Sequence, residues 1–353
     1  MRPEAQYALE DATTAWLNTF TPRRFLRNRH IQTLAGNFLP RRLSLPQPEP
    51  LVVEVEGPVA GYGPSSVLCH CHWQPKEVRR ERLTVVIVHG LEGSSSSQYV
   101  LGNTARALAA GFNVVRMNMR TCGGTDELSP TIYHSGRSED VASVVARLIE
   151  IEQVESIALI GYSMGANLVL KHAGEIAGQP LPQLKAVVGI SPLMDLAVSS
   201  AALHEPQNRV YEWHFLRSML ARIRRKAALF PAIYSADNLE KIRSMRLFDE
   251  HIVARYGGFA GADDYYYSVA SSQHAGRFRV HTLILHSLDD PFIRMLPSTR
   301  SALIENTNVT YVETERGGHC AFLAPAKNDD GRWAETTLLE YLRAHTNGSR
   351  LGR

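Results

Sequence analysis

Ser163, Asp290 and His319 lie far apart in a chain of 353 residues, yet their types could share one reaction. Ser163 occupies the centre of Gly161-Tyr162-Ser163-Met164-Gly165. Before it comes a strand-like run, Ser156-Ile157-Ala158-Leu159-Ile160, and after it a helix-like run from Ala166 to Ala173. A Gly-x-Ser-x-Gly in that setting is a sharp strand-to-helix turn. Its central residue takes strained dihedrals, and the flanking glycines keep side chains from colliding with strand and helix. The turn thrusts Ser163 Oγ past the carboxyl end of its strand, in front of the amides and positive dipole end of the following helix. A serine hydroxyl is a poor nucleophile at neutral pH, so it needs a base that is itself oriented by a carboxylate.

Fourteen histidines are present, and His319 is the candidate base. Gly317-Gly318-His319 follows a strand-like run from Asn308 to Glu313, and the paired glycines let that loop swing an imidazole toward the serine. The carboxylate should lie earlier, just past the strand-like run Val280 to His286, where Asp289-Asp290-Pro291 offers two candidates. Counting three residues from Ser287, the small residue ending that strand, favours Asp290; Asp289 stays open as the alternative, and the other becomes a loop-capping carboxylate. The oxyanion of a tetrahedral intermediate needs two main-chain donors: the amide of Met164, directly after the nucleophile, and that of Leu91 in His89-Gly90-Leu91. His89 precedes the serine in the chain and reads as an organiser of that loop.

These residues must be held by elements, and the elements alternate. Leu83 to His89 is a β-branched run of the kind buried on both faces of a parallel sheet. Gln98 to Ala110 reads as a helix closed by Gly111, and Phe112 to Met117 as the next strand. Ser138 reads as the N-cap of a helix whose Val141, Val144, Val145, Leu148 and Ile149 share one face. Leu184 to Ile190 is a further strand. From about Leu193 to Arg279 helical patches appear, Tyr211 to Ala228 and Arg243 to Tyr256, with no convincing strand. Trp333 to His345 reads as a closing amphipathic helix. The fold class is therefore α/β, with a mostly parallel, doubly wound sheet and a helical lid insertion: the α/β-hydrolase fold. The expected divisions are an N-terminal arm over 1–50, core over 51–192, lid over 193–279 and core over 280–353. Trp213, Phe215, Leu216, Met219 and Leu220 either line the site from the lid or pack it onto the core.

Bulk properties narrow the classes. Hydrophobic content of 44% and charged content of 21% are ordinary for a globular protein. A net charge of +3, from 38 basic and 35 acidic residues, is too small to argue for nucleic acid. Basic clusters at Arg23, Arg24, Arg27, Arg29, Arg41 and Arg42, and at Arg222, Arg224, Arg225 and Lys226, read as solvated faces, with weak membrane-surface association as the alternative. The N-terminus has no signal-peptide pattern, and no stretch approaches the ~20 apolar residues that span a bilayer. Four cysteines do not suggest a disulfide framework, so cytoplasmic residence is expected. In an extended segment, Cys69-His70-Cys71-His72 would turn its cysteines one way and its histidines the other, which argues against one metal site. No cofactor or metal is expected.

Several segments together resemble the YheT-like branch of the α/β-hydrolase superfamily, related to yeast medium-chain ester synthase/esterases and mammalian phospholipases. They are Arg29-His30-Ile31-Gln32-Thr33, His89-Gly90-Leu91-Glu92-Gly93, Arg120 to Thr125, Gly161 to Asn167, Phe248-Asp249, Gly257-Gly258-Phe259, Tyr265-Tyr266, Asp289-Asp290-Pro291-Phe292 and Gly317-Gly318-His319. The resemblance runs from about Phe25 onward. It implies the triad roles for Ser163, Asp290 and His319, and medium-chain acyl esters as a plausible substrate class. Two departures stand out: no stretch reads as the membrane anchor common in eukaryotic relatives, so none is expected, and no histidine carries the His-x4-Asp acyltransferase signature. The expected function is a serine hydrolase cleaving short- to medium-chain carboxylic esters, a small-molecule substrate, through an acyl-enzyme. Acyl transfer or thioester cleavage by the same residues is the alternative, and a non-catalytic ligand-binding role is a more distant one.

Overall fold

Thr84–Val88, Asn113–Met117 and Ile157–Tyr162 are buried at every position, as β-branched runs must be when helices cover both faces of a sheet. In a computed structural model, which describes residues 17, 19–56, 61–326 and 329–346, these runs are central strands of one eight-stranded sheet. Its strands are β1 (Glu49–Val55), β2 (Ser65–His72), β3 (Thr84–Val88), β4 (Asn113–Met117), β5 (Ile157–Tyr162), β6 (Leu184–Ile190), β7 (His281–Ser287) and β8 (Val309–Thr314). Their spatial order is β1-β2-β4-β3-β5-β6-β7-β8. From β4 to β8 neighbours are parallel, whereas β1 and β2 join antiparallel, so the sheet is mostly parallel and wound in both directions from β3. The central strands β3 and β5 run side by side, with Val88 opposite Gly161. That register brings the loop after β3 beside the turn after β5.

Apolar side chains fill both faces. Helices Gln98–Ala109 and Trp333–Thr346 cover one side; Ser138–Glu150 and Met164–Glu175 cover the other. Gly111, with φ +80°, follows the first of these at the expected C′ position. The expectation for Ser138 is not met. Ser138 is the first helical residue, Arg137 stands at the N-cap, and Ser138 Oγ donates to Glu175 Oε2 on the neighbouring helix instead. Arg120 is fully buried, and its guanidinium grips Asp140 of the same helix and donates to the Glu56 carbonyl.

Between β6 and β7 the described residues contain helices only, the longest being Arg209–Leu229. Arg243 to Tyr256 does not form one α-helix: Met245–Phe248 runs into a π-helix, Asp249–Ala254. The basic run at 222–226 is only partly solvated. Arg222 and Lys226 are buried, Arg222 against Glu92 and Lys226 against the Ser129 carbonyl. Ahead of the sheet, Asn28 Oδ1 caps a helix over Arg29–Phe38 by accepting from His30 N and Ile31 N. The first sixteen residues, where the signal-peptide expectation falls, lie outside the described residues. Among the described residues no helix is long and apolar enough to cross a membrane. In β2, Cys69 and Cys71 point into the core, while His70 bonds Ser95 and His72 bonds Arg116.

Candidate active site

Ser163 has φ +54° and ψ −115°, a conformation that L-residues avoid and that the surrounding strand and helix impose. A Cβ at Gly161 would lie 2.4 Å from Ala166 Cα, and one at Gly165 2.3 Å from the His89 carbonyl, so no larger residue fits either position. The helix Met164–Glu175 starts at the turn. Its opening N–H groups have no intrahelical acceptor, which leaves the Met164 amide free to face a developing charge. Beside it, the Leu91 amide makes no hydrogen bond among the described residues.

The loop bearing Leu91 is held from several directions. His89 is buried, which pushes its pKa down to about 4, so it stays neutral. Its Nε2 accepts from Met119 N at 3.1 Å, and its Nδ1 then donates to the Gly90 carbonyl at 2.8 Å. Tyr99 Oη accepts from Gly90 N at 2.8 Å. Glu92, at φ +56°, bonds Tyr133 Oη at 2.6 Å and pairs with Arg222 Nη2 at 2.9 Å. The Arg209–Leu229 helix is thereby bolted to the loop that carries the candidate oxyanion donor.

The loops after β7 and β8 bring the remaining groups together. His319 Nδ1 donates to Asp290 Oδ2 at 2.7 Å. Asp290 is fully buried, and its Oδ1 accepts from Phe292 N and Ile293 N at 3.1 and 2.9 Å. Asp289 does other work: its Oδ1 accepts from Ser287 Oγ at 2.7 Å and from Gly318 N at 2.9 Å, tying the two loops to each other. Burial disfavours the protonated His319 imidazole, but the adjoining Asp290 carboxylate outweighs it and raises the pKa above the usual histidine value. With Nδ1 engaged by Asp290, Nε2 is the nitrogen left for proton transfer; its neighbour is Cys320 Sγ at 3.5 Å.

The arm reaches the site in a way its sequence does not announce. Thr33 Oγ1 accepts from His319 N at 2.9 Å while donating to the Arg29 carbonyl, and the fully buried Gln32 accepts from Leu323 N. Gly36 packs so closely on Ala321 that an added Cβ would lie 2.7 Å from the alanine methyl. A fully buried glutamine in a polar arm is the signal for docking, but burial is invisible before the fold is known.

Two cavities meet at Ser163. An outer one of about 350 Å³ lies between the Arg29–Phe38 and Arg209–Leu229 helices and is lined by Ser163, His319, Cys320, Trp213 and Phe215 among others. An inner one of about 90 Å³ runs under the helices between β6 and β7, lined by Ser163, Met164, Phe215, Met219 and Asp249 among others. Of the five side chains singled out in the sequence on the Arg209–Leu229 helix, Trp213, Phe215 and Met219 line a cavity; Leu216 and Leu220 pack in the apolar cluster behind them. Asp249 is absent from the sequence-based site. Burial pushes its carboxyl up to about 7, and Tyr266 Oη donates to its Oδ2 at 2.6 Å.

Comparison with known proteins agrees with this architecture. A family model described as the alpha/beta hydrolase fold matches residues 84–325. YheT of Escherichia coli (strain K12), provisionally named an esterase, is 30% identical over 332 residues, covering 92% of this chain and 93% of its own. Medium-chain fatty acid ethyl ester synthase/esterase 2 of Saccharomyces cerevisiae is 26% identical over 284 residues, covering 73% of this chain and 61% of its own. The solved Pyrococcus furiosus esterase Pf2001 shares the fold with a TM-score of 0.55 at 14% identity, covering 87% of this chain and 96% of that one. The family match over most of the sheet and the full-length similarity to YheT agree: the chain belongs to the α/β-hydrolase fold family and, within it, to the YheT-like branch.

Proposed function

We propose that this protein is a serine hydrolase that cleaves carboxylic esters with a short- to medium-chain acyl group through an acyl-enzyme on Ser163. The observation that carries the reading is the strained Ser163 turn opening onto the same cavity as an imidazole already bonded to a buried carboxylate. Ser163 Oγ attacks the ester carbonyl carbon while His319 Nε2 takes its proton. The carbonyl oxygen becomes an oxyanion between the Leu91 and Met164 amides. As the tetrahedral intermediate collapses, the C–O bond to the alcohol breaks and His319 returns the proton to that oxygen. Water then repeats the sequence, giving the acid and free Ser163. Asp290 holds the imidazole with Nε2 toward the serine and stabilises the imidazolium.

The proton must be delivered to the departing alcohol, and His319 lines the outer cavity and not the inner one. This supports seating the alcohol part outside and the acyl part inside, beside Met164. A second reading, acyl transfer to an alcohol, is favoured by the size of the apolar outer cavity, which has room for an acceptor on the His319 side. Four cysteines without disulfides, three of them buried, support a reducing compartment, the cytoplasm.

Wild type and Ser163→Ala are to be compared on p-nitrophenyl esters of graded acyl length, with and without added ethanol. A rate loss approaching ~10⁶-fold in the variant is expected. Hydrolysis that persists in Ser163→Ala contradicts the reading; ethyl ester formed in preference to acid selects the second one.

A further inference from the structure

The inner cavity is lined in part by polar groups that the proposed chemistry does not use. Most of its lining is apolar, but Asp249, Tyr266 and Ser200 also line it. Tyr266 Oη donates to Asp249 Oδ2 at 2.6 Å and meets Ser200 Oγ at 2.9 Å, so the tyrosine is shared between the two. The second carboxyl oxygen, Asp249 Oδ1, has no hydrogen-bond partner among the described residues. No basic side chain bonds the group; Arg246 acts on it only through its charge. A carboxyl more than nine-tenths buried and half-satisfied costs stability, so its presence needs an explanation. The backbone points the same way: Asp249 opens the π-helix Asp249–Ala254, and such irregular turns concentrate at functional positions.

We propose that Asp249, with Tyr266 and Ser200, forms a polar subsite in the acyl cavity that recognises a hydroxyl on a short acyl chain. The substrates it selects are esters of short hydroxy acids. This rests on the reading of Ser163 as the nucleophile and of the inner cavity as the acyl side. At about 90 Å³ the inner cavity is much smaller than the outer one of about 350 Å³, which favours a short acyl chain with its hydroxyl. Burial lifts the Asp249 carboxyl to about 7, so near neutrality it exists both as a donor and as an acceptor. A hydroxyl satisfies either form, because it donates and accepts. A purely alkyl chain leaves Asp249 Oδ1 buried against carbon, which is the penalty that gives such sites their selectivity.

The test compares p-nitrophenyl 3-hydroxybutanoate with p-nitrophenyl butanoate on wild type, Asp249→Leu and Tyr266→Phe. Wild type is expected to favour the hydroxylated ester by about tenfold or more in kcat/KM. Asp249→Leu is expected to abolish or invert that preference while raising the rate on plain butanoate. Tyr266→Phe, a milder change that keeps the ring, is expected to reduce the preference in part. A wild-type ratio near one, or a ratio unchanged in both variants, overturns the subsite. A separate arm measures binding of methyl 3-hydroxybutanoate and methyl butanoate to Ser163→Ala protein, where no turnover intervenes. Tighter binding of the hydroxylated ester supports the subsite even if hydrolysis proves independent of Ser163, and equal binding overturns it. Loss of the nucleophile reading and loss of the subsite are thus read by different measurements.

Discussion

Two regions face each other across Ser163 and are built on different principles. Below it, the carboxyl edge of β3, β5, β7 and β8 carries Leu91, Ser163, Asp290 and His319 on short loops. Main-chain geometry does the positioning there: a positive φ at Ser163, amides clamping Asp290, and glycines where no Cβ fits. Above it, the helices between β6 and β7 carry Phe215, Met219, Asp249 and Tyr266. They are held by side chains, chiefly the Arg222–Glu92 ion pair and the packing of their own apolar cluster. On the proposed reading, the lower region fixes which bond can break, and the upper one which substrate fits. Changes below should therefore act on the rate of the chemical step, and changes above on selectivity and on how firmly the two regions are joined.

The largest separation is expected between two adjacent carboxylates in the lower region. Asp290→Asn removes the group that orients His319, and kcat should fall by ~10⁴-fold. Asp289→Asn weakens only the loop-to-loop tie, and a loss of about tenfold or less is expected. Equal losses would erase the distinction between them. The same variants report on pH. Because Asp290 raises the His319 pKa and the base must be neutral to accept a proton, activity should climb with pH above the ordinary histidine range. Asp290→Asn should move that limb to lower pH. The pairing also contributes stability, complete below the unfolded value of about 6.5 and lost as pH rises through the higher folded value.

A smaller effect is expected where the regions join. Arg222→Met takes the cation away from the buried Glu92 beside Leu91, which keeps Tyr133 and Ser218 as donors, and so weakens the tie between the long helix and the Leu91 loop. A loss on the order of tenfold in kcat/KM is expected, alongside a lower melting temperature. A drop in stability with unchanged kinetics would show that the two regions are joined for folding alone.

The same contrast governs how much could be read before the fold was known. The turn at Ser163, the strands β3 to β8 and the helices packed on them were legible because their signals are local: β-branched runs, a 3.6-residue apolar period, glycines at tight turns. The mostly parallel sheet follows from those signals, whereas the family was legible through the resemblance of particular segments. The Arg29–Phe38 helix was not legible, because Thr33 and Gln32 hold the His319 loop from nearly three hundred residues away. Arg222 and Lys226 read as solvated because their burial depends on Glu92 and the Ser129 carbonyl, remote in sequence. Ser138 was misplaced by one position because its hydroxyl found Glu175 on the neighbouring helix instead of its own backbone. The π-helix at Asp249 leaves no periodic trace in so short a segment.

Labelling with a fluorophosphonate, followed by peptide mapping, tests the central claim most directly. The folded wild-type protein is expected to take up a single phosphonyl group, on the peptide containing Ser163, and Ser163→Ala to take up none. A folded wild type that resists the reagent, or a variant that labels as well as wild type, would contradict a nucleophilic Ser163.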